Sequence, residues 1–177
     1  MHFAETKLPG AFVIELRRIS DERGWFARSF SREEFAAHGL NPQVVDANAS
    51  FNDRAGTLRG LHHQQAPHAE AKLIRCTRGA IYDVLVDLRP DSPAFCDWFA
   101  LELSAASPQM VYAPEGVAHG FQTLEDATEV SYLMSSGYVP EHASGVRWDD
   151  PAFGIEWPAV EQRTISERDL SYPDFEP

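Results

Sequence analysis

The stretch Arg59-Gly60-Leu61-His62-His63-Gln64 gathers an arginine, two adjacent histidines and a glutamine, and Lys72 follows at the head of an apolar run. Four further groups can join them: His119, Tyr132, Tyr138 and Asp169. Together they supply a base, a group to orient it, a cation and a phenol. That set suits removing a proton beside a carbonyl and returning it elsewhere. Strand side chains alternate between faces. If the segment is extended, one of His62 and His63 faces a cavity and the other is structural or exposed, and alternation alone does not say which. A lone histidine is more often a hydrogen-bonded interior residue. The nearby Arg59 and Lys72 tip this one toward chemistry.

Short strands must position these groups. Phe12 to Leu16, Val44 to Phe51, Ile81 to Leu88, Phe99 to Leu103, Met110 to Ala113, His119 to Thr123 and Val130 to Met134 are apolar or alternating runs. Trp25 to Phe30 is a further extended candidate, with Phe26, Arg28 and Phe30 on one parity. Turns rich in Gly, Pro and Asp separate them at spacings of about ten residues, the pattern of a β-sandwich or barrel. Ser31, Glu34 and Gly39 predict one short helix, with a capping box at its start and a glycine stop. From Tyr138 onward, Trp148, Pro151, Phe153, Trp157 and Pro158 predict an irregular tail packed on the strands. Such a tail either covers an open end or delivers Asp169 to the site.

A chain of 177 residues suits one domain spanning 1–177. The net charge of −12 argues against a nucleic-acid partner, although local arginines can still hold a small anion. Cys76 and Cys96 form no metal-ligand pattern, and so few cysteines suit a reducing cytoplasm. The start MHFAETKLPG lacks the apolar centre of a signal peptide. No stretch approaches the roughly 20 apolar residues of a membrane span. The expectation is a soluble, cytoplasmic protein without a membrane partner.

The order of motifs resembles the dTDP-4-dehydrorhamnose 3,5-epimerase family. The residues carrying the resemblance are Asp21-Glu-Arg-Gly24 with Phe26, Leu58 to His62 with Gln64, Lys72-Leu73, Asp83-Val84 and Val86 to Arg89. Pro114 to Phe121, Tyr132, Tyr138, Gly145 to Pro151, Ile155 to Pro158 and Ile165 to Asp169 complete it. The resemblance implies an all-β, cupin-type jelly-roll β-sandwich with a few short helices. It implies a homodimer acting on a nucleotide-linked 4-keto-6-deoxy sugar, inverting carbon 3, carbon 5 or both through an enolate. His62 matches the general base, Asp169 its orienting carboxylate, Tyr132 the proton-returning phenol, and Lys72 the cation near the enolate. Arg23, Phe26, Asn48, Arg59, His119 and Tyr138 match substrate-binding positions. No metal or redox cofactor is implied.

The chemistry of that substrate agrees with the residues. A ketone at carbon 4 acidifies the hydrogens on carbons 3 and 5, the enolate oxygen needs a nearby positive charge, and inversion needs a proton donor opposite the base. Two positions depart from the family pattern: Arg28 stands where glutamate is common, and Asp46 where glutamine is common. Either they pair with each other and thymine still binds, or they face the base and select another nucleotide.

Three other readings are set against this one. A single-carbon epimerase or ketoisomerase on a different nucleotide sugar would use the same groups. A metal-dependent cupin would recruit His68, Glu70 and His119, whose spacing does not fit. A non-catalytic sugar-binding jelly roll would have no use for base, acid, cation and phenol together.

Overall fold

The computed structural model describes residues 1–176. Thirteen strands dominate it: β1 (His2–Glu5), β2 (Phe12–Glu15), β3 (Ile19–Asp21), β4 (Gly24–Phe26), β5 (Asp46–Asn52), β6 (Leu58–Gln64), β7 (Lys72–Arg78), β8 (Ala80–Asp87), β9 (Trp98–Ser104), β10 (Gln109–Ala113), β11 (Val117–Thr123), β12 (Thr128–Met134) and β13 (Ala143–Gly145). Two short helices, α1 (Arg32–Ala37) and α2 (Glu167–Leu170), and a 3₁₀ turn at Pro140–His142 complete the elements.

The strands form two antiparallel sheets, in the orders β1-β2-β10-β7-β12-β5 and β13-β6-β11-β8-β9. Strands distant in sequence lie side by side, β2 with β10 and β6 with β11. This is the winding of a cupin-type jelly roll. β3 and β4 form a separate hairpin.

Alternation explains the layers. Ile74, Cys76, Val111 and Val130 of the first sheet meet Ile81, Leu85, Leu103, Val117 and Phe121 of the second in one buried cluster. The other face of the second sheet presents Leu61, Val84, Val86 and Ala118, and the C-terminal tail covers them with Val146 and Phe153. β8 is therefore buried on both faces, which is why its sequence reads as a continuous apolar run interrupted only by Asp83 and Asp87. The tail cover is a side cover of the second sheet rather than a plug in its end.

The helix at Ser31 forms where its sequence predicts, with half of the expected capping box: the Glu34 carboxylate turns to the Met1 amino group at 2.8 Å instead of to the Ser31 N–H. The Ser31 side chain accepts the Glu34 N–H at 3.4 Å, and Gly39 follows at φ +72°. Phe35 is fully buried beneath the first sheet, edge-on to Phe3 at 5.6 Å. Burying a side chain of this size contributes about 2 kcal/mol, enough to hold so short a helix.

Some boundaries differ from the expectation. Beyond β4 the run to Phe30 leaves the strand, and Ala27 and Phe30 pack against the cluster around Phe35. Val44 and Val45 precede β5 and are exposed. The strands not foreseen are β1, β3 and β13, of four, three and three residues; β1 and β13 lie at sheet edges, and β3 is one arm of the separate hairpin.

Candidate active site

Between the sheets opens a cavity of about 830 Å³, within the usual range for small-molecule sites. Of the residues singled out from the sequence, His62, Asp169, Tyr132, Lys72, Asn48, Arg59, His119 and Tyr138 all line it.

Strict alternation would place Arg59 and His62 on opposite faces. The structure puts both at the cavity through a bulge. His119 pairs with His62 and Phe121 with Arg59, so three steps on β6 match two on β11. The extra residue resets the parity. Gly60 sits at the irregularity with φ +128°, and a Cβ there would lie 2.5 Å from the Gly120 Cα. Only glycine fits.

His62 Nε2 lies 2.7 Å from Asp169 Oδ1. The Asp169 carboxylate also accepts the Gly60 N–H at 3.1 Å. It is delivered by α2, whose N-cap Ser166 accepts the Asp169 N–H at 3.1 Å. Burial pushes the Asp169 carboxyl up, but the hydrogen bond and charge of His62, with the bonds from Gly60 and Ser166, outweigh it. The carboxyl ends below its ordinary 3.8. An ionised carboxylate can only accept, so His62 Nε2 carries the proton and Nδ1 the lone pair. His63 also borders the cavity but takes no part in this contact; burial and the nearby Lys72 push it down to about 4.

A second pair sits deeper. His119 Nε2 is 2.7 Å from Asp83 Oδ1, both almost fully enclosed. Asp83 Oδ2 has no partner among the described residues.

The first sheet supplies the opposite wall. Lys72 is buried, 3.1 Å from Glu70 Oε1, and donates to the His62 carbonyl at 2.6 Å. Desolvation lowers its ammonium below the ordinary value, against the pull of Glu70 and Asp83. Tyr132 shares a hydrogen bond with Ser50 at 3.0 Å, and Asn48 lies beside it in register. Burial holds the Tyr132 phenol well above its ordinary 10, the Ser50 contact offsetting only part of this. Tyr132 is therefore a neutral donor at neutral pH. Arg59 Nε donates to Asn52 at 2.7 Å.

Arg23 and Phe26 are not at this cavity. They lie on the β3–β4 hairpin, exposed, with Arg23 paired to Asp21 and Phe26 71% accessible. Arg28 pairs with Glu34 at 3.7 Å, whereas Asp46 lines the cavity. Within the chain the two departures do not neutralise each other. His68, Glu70 and His119 form no cluster able to hold a metal, and none of three or more such ligands occurs among the described residues; His68 packs instead against the ring of His142 at 4.6 Å.

Sequence reasoning assigned no role to Asp83, Ser50 or Arg168. Asp83 had a signal: with Asp87 it is one of two buried charges on the parity of Ile81 and Leu85. Ser50 and Arg168 had none, because their partners Tyr132 and Tyr138 lie far away in sequence.

A jelly roll whose interior carries a histidine–carboxylate pair, a buried ammonium and a buried phenol belongs with the acid–base enzymes built on the cupin scaffold. The comparisons with known proteins narrow that class. The sequence model of the dTDP-4-dehydrorhamnose 3,5-epimerase family matches residues 5–177. A dTDP-4-dehydrorhamnose 3,5-epimerase of Sinorhizobium fredii is 40% identical, covering 99% of this chain and 90% of its own. The crystal structure of the enzyme from Elizabethkingia anophelis superposes with a TM-score of 0.95 at 37% identity, over 99% and 96% of the two chains. That from Bacillus anthracis, with TDP and PPi bound, gives 0.93 at 40% identity, over 98% and 99%. The chain belongs to the dTDP-4-dehydrorhamnose 3,5-epimerase family of isomerases.

Proposed function

We propose that the protein epimerises a dTDP-linked 4-keto-6-deoxy sugar, with His62 as base and Tyr132 as proton donor. The observation that carries this reading is that the two groups line one cavity from opposite sheets. His62 Nδ1 takes the proton from the carbon beside the ketone, and the electron pair moves onto the carbonyl oxygen as an enolate. The imidazolium so formed is held by the Asp169 carboxylate. Lys72, itself buried, supplies positive charge for the enolate oxygen. Tyr132 then delivers a proton to the opposite face of the carbon, which inverts it, and solvent resets both groups. Bidentate arginine contacts suit diphosphate oxygens, and Arg59 is the cavity's candidate.

The same reading takes the active form to be a homodimer. Ile19, Trp25 and Phe26 leave an exposed apolar hairpin, and a two-fold partner would both cover it and bring Arg23 and Phe26 to a cavity. A two-fold interface of this kind buries over about 1,000 Å². The free cysteines suit work in the cytoplasm; no helix among the described residues is long and apolar enough to cross a membrane.

The test is incubation with dTDP-4-keto-6-deoxyglucose in deuterated water, read by NMR. Deuterium at carbons 3 and 5 with inversion is expected. Incorporation at one carbon alone would make it a single-carbon epimerase. None at either carbon overturns the proposal.

A further inference from the structure

Gln64 is the last residue of β6, two positions from His62 on the same face. It is 5% exposed. Its Nε2 donates to the carbonyls of His68 at 3.0 Å and Gly137 at 3.1 Å, and its Oε1 accepts the Val139 N–H at 2.6 Å. One buried amide thus grips the backbone on both sides of Tyr138, using both donors and its acceptor. Among the described residues Ser136 to Tyr138 make no backbone–backbone hydrogen bond, so the amide is what holds their backbone, while the Tyr138 side chain meets Arg168. The Tyr138 ring itself is 63% exposed, at the cavity.

We propose that Gln64 is a positioning residue, tying the strand that carries the base to the loop that carries Tyr138 and so fixing how substrate sits over His62. The inference rests on the reading of Tyr138 as substrate-binding. Shape alone cannot replace the amide. A thioether of similar length would leave two carbonyls and one N–H unpaired in a buried place, and each such loss costs about tenfold in an equilibrium. The loop would then find its hydrogen bonds in water, away from the site.

Gln64→Met should raise KM about tenfold while kcat stays within about threefold. A purely structural role would instead lower the active fraction and leave the KM of the remainder unchanged. In a Tyr138→Ala background, Gln64→Met should add less than about twofold to KM, because the loop no longer carries the contact. If Gln64→Met does not fold, Gln64→Asn, with the same amide one methylene short, takes the same test. Calorimetric binding of the 4-keto sugar nucleotide in a His62→Asn background keeps this apart from turnover. About tenfold weaker binding on adding Gln64→Met supports the proposal even if the epimerase reading fails. An unchanged KM and affinity, or effects of Gln64→Met and Tyr138→Ala that multiply in full, would overturn it.

Discussion

Two histidine–aspartate pairs meet the cavity, the second through its histidine alone, with the same Nε2···Oδ1 distance of 2.7 Å and opposite surroundings. In one, Asp169 is brought in from the C-terminal tail, and the His62 side chain is 41% accessible. In the other, Asp83 and His119 stand on neighbouring strands of one sheet, and the histidine is 5% accessible. The Asp169 carboxylate is tied by Gly60 as well as His62, whereas Asp83 keeps an oxygen without a partner among the described residues. A base must reach a carbon-bound hydrogen and exchange its proton with solvent, and only the first pair is open enough. The second lies within one sheet, almost fully enclosed. Distance within the pair does not distinguish the two; access does, and it is the ground for the proposed base.

The widest separation should come from removing each histidine. His62→Ala is expected to lower turnover by about 10³-fold or more, while calorimetric binding of thymidine diphosphate changes little. His119→Ala should leave measurable turnover but cost about 3 kcal/mol of stability in denaturant melts, since it strands a buried carboxylate. His62→Ala also leaves a buried carboxylate, Asp169, but one still tied by the Gly60 N–H and opened to the cavity, and should cost less, about 1–2 kcal/mol.

Tyr132→Phe sharpens the contrast between abstraction and return. Net inversion should fall by about 10²-fold. Deuterium should still wash into the substrate with retained configuration, because His62 can return what it takes.

Asp169→Asn should lower turnover by about tenfold to a hundredfold, less than loss of His62, because imidazole can still accept a proton without its orienting partner. The same carboxyl sets a smaller pH effect. Its pKa is depressed in the folded protein, so its contribution to stability is present above the ordinary 3.8 and is lost as pH falls below that value. Thermal melts of the native chain between about pH 5 and pH 2 should therefore fall more steeply than those of Asp169→Asn.

Much of this was legible before the fold. Ile81 to Leu88 and Val130 to Met134 report strands correctly: the second alternates, and the first is apolar on both parities because the other sheet lies on one side of β8 and the C-terminal tail on the other. The Ser31–Glu34–Gly39 signature reports α1 because capping is local. What failed to show was non-local. β13 is a three-residue edge strand whose existence depends on pairing with β6. The bulge that brings Arg59 beside His62 depends on β11 approaching Gly60 closely. Asp83, Glu70 and Ser50 acquire roles only through partners on other strands or at a strand's end. The Arg28 and Asp46 departures looked like one exchange of charge. They resolve into a surface pair with Glu34 and a carboxylate at the cavity, because α1 carries Glu34 beneath the first sheet.

The central claim is that the accessible pair does the chemistry and the enclosed pair does not. Its most direct test is solvent exchange of the carbon-bound hydrogens of the 4-keto sugar nucleotide in deuterated water, for the native chain, His62→Asn and His119→Asn side by side. Exchange should vanish in His62→Asn and persist, slowed by about tenfold at most, in His119→Asn. Exchange that survives in His62→Asn and disappears in His119→Asn would contradict the account and move the base to the enclosed pair.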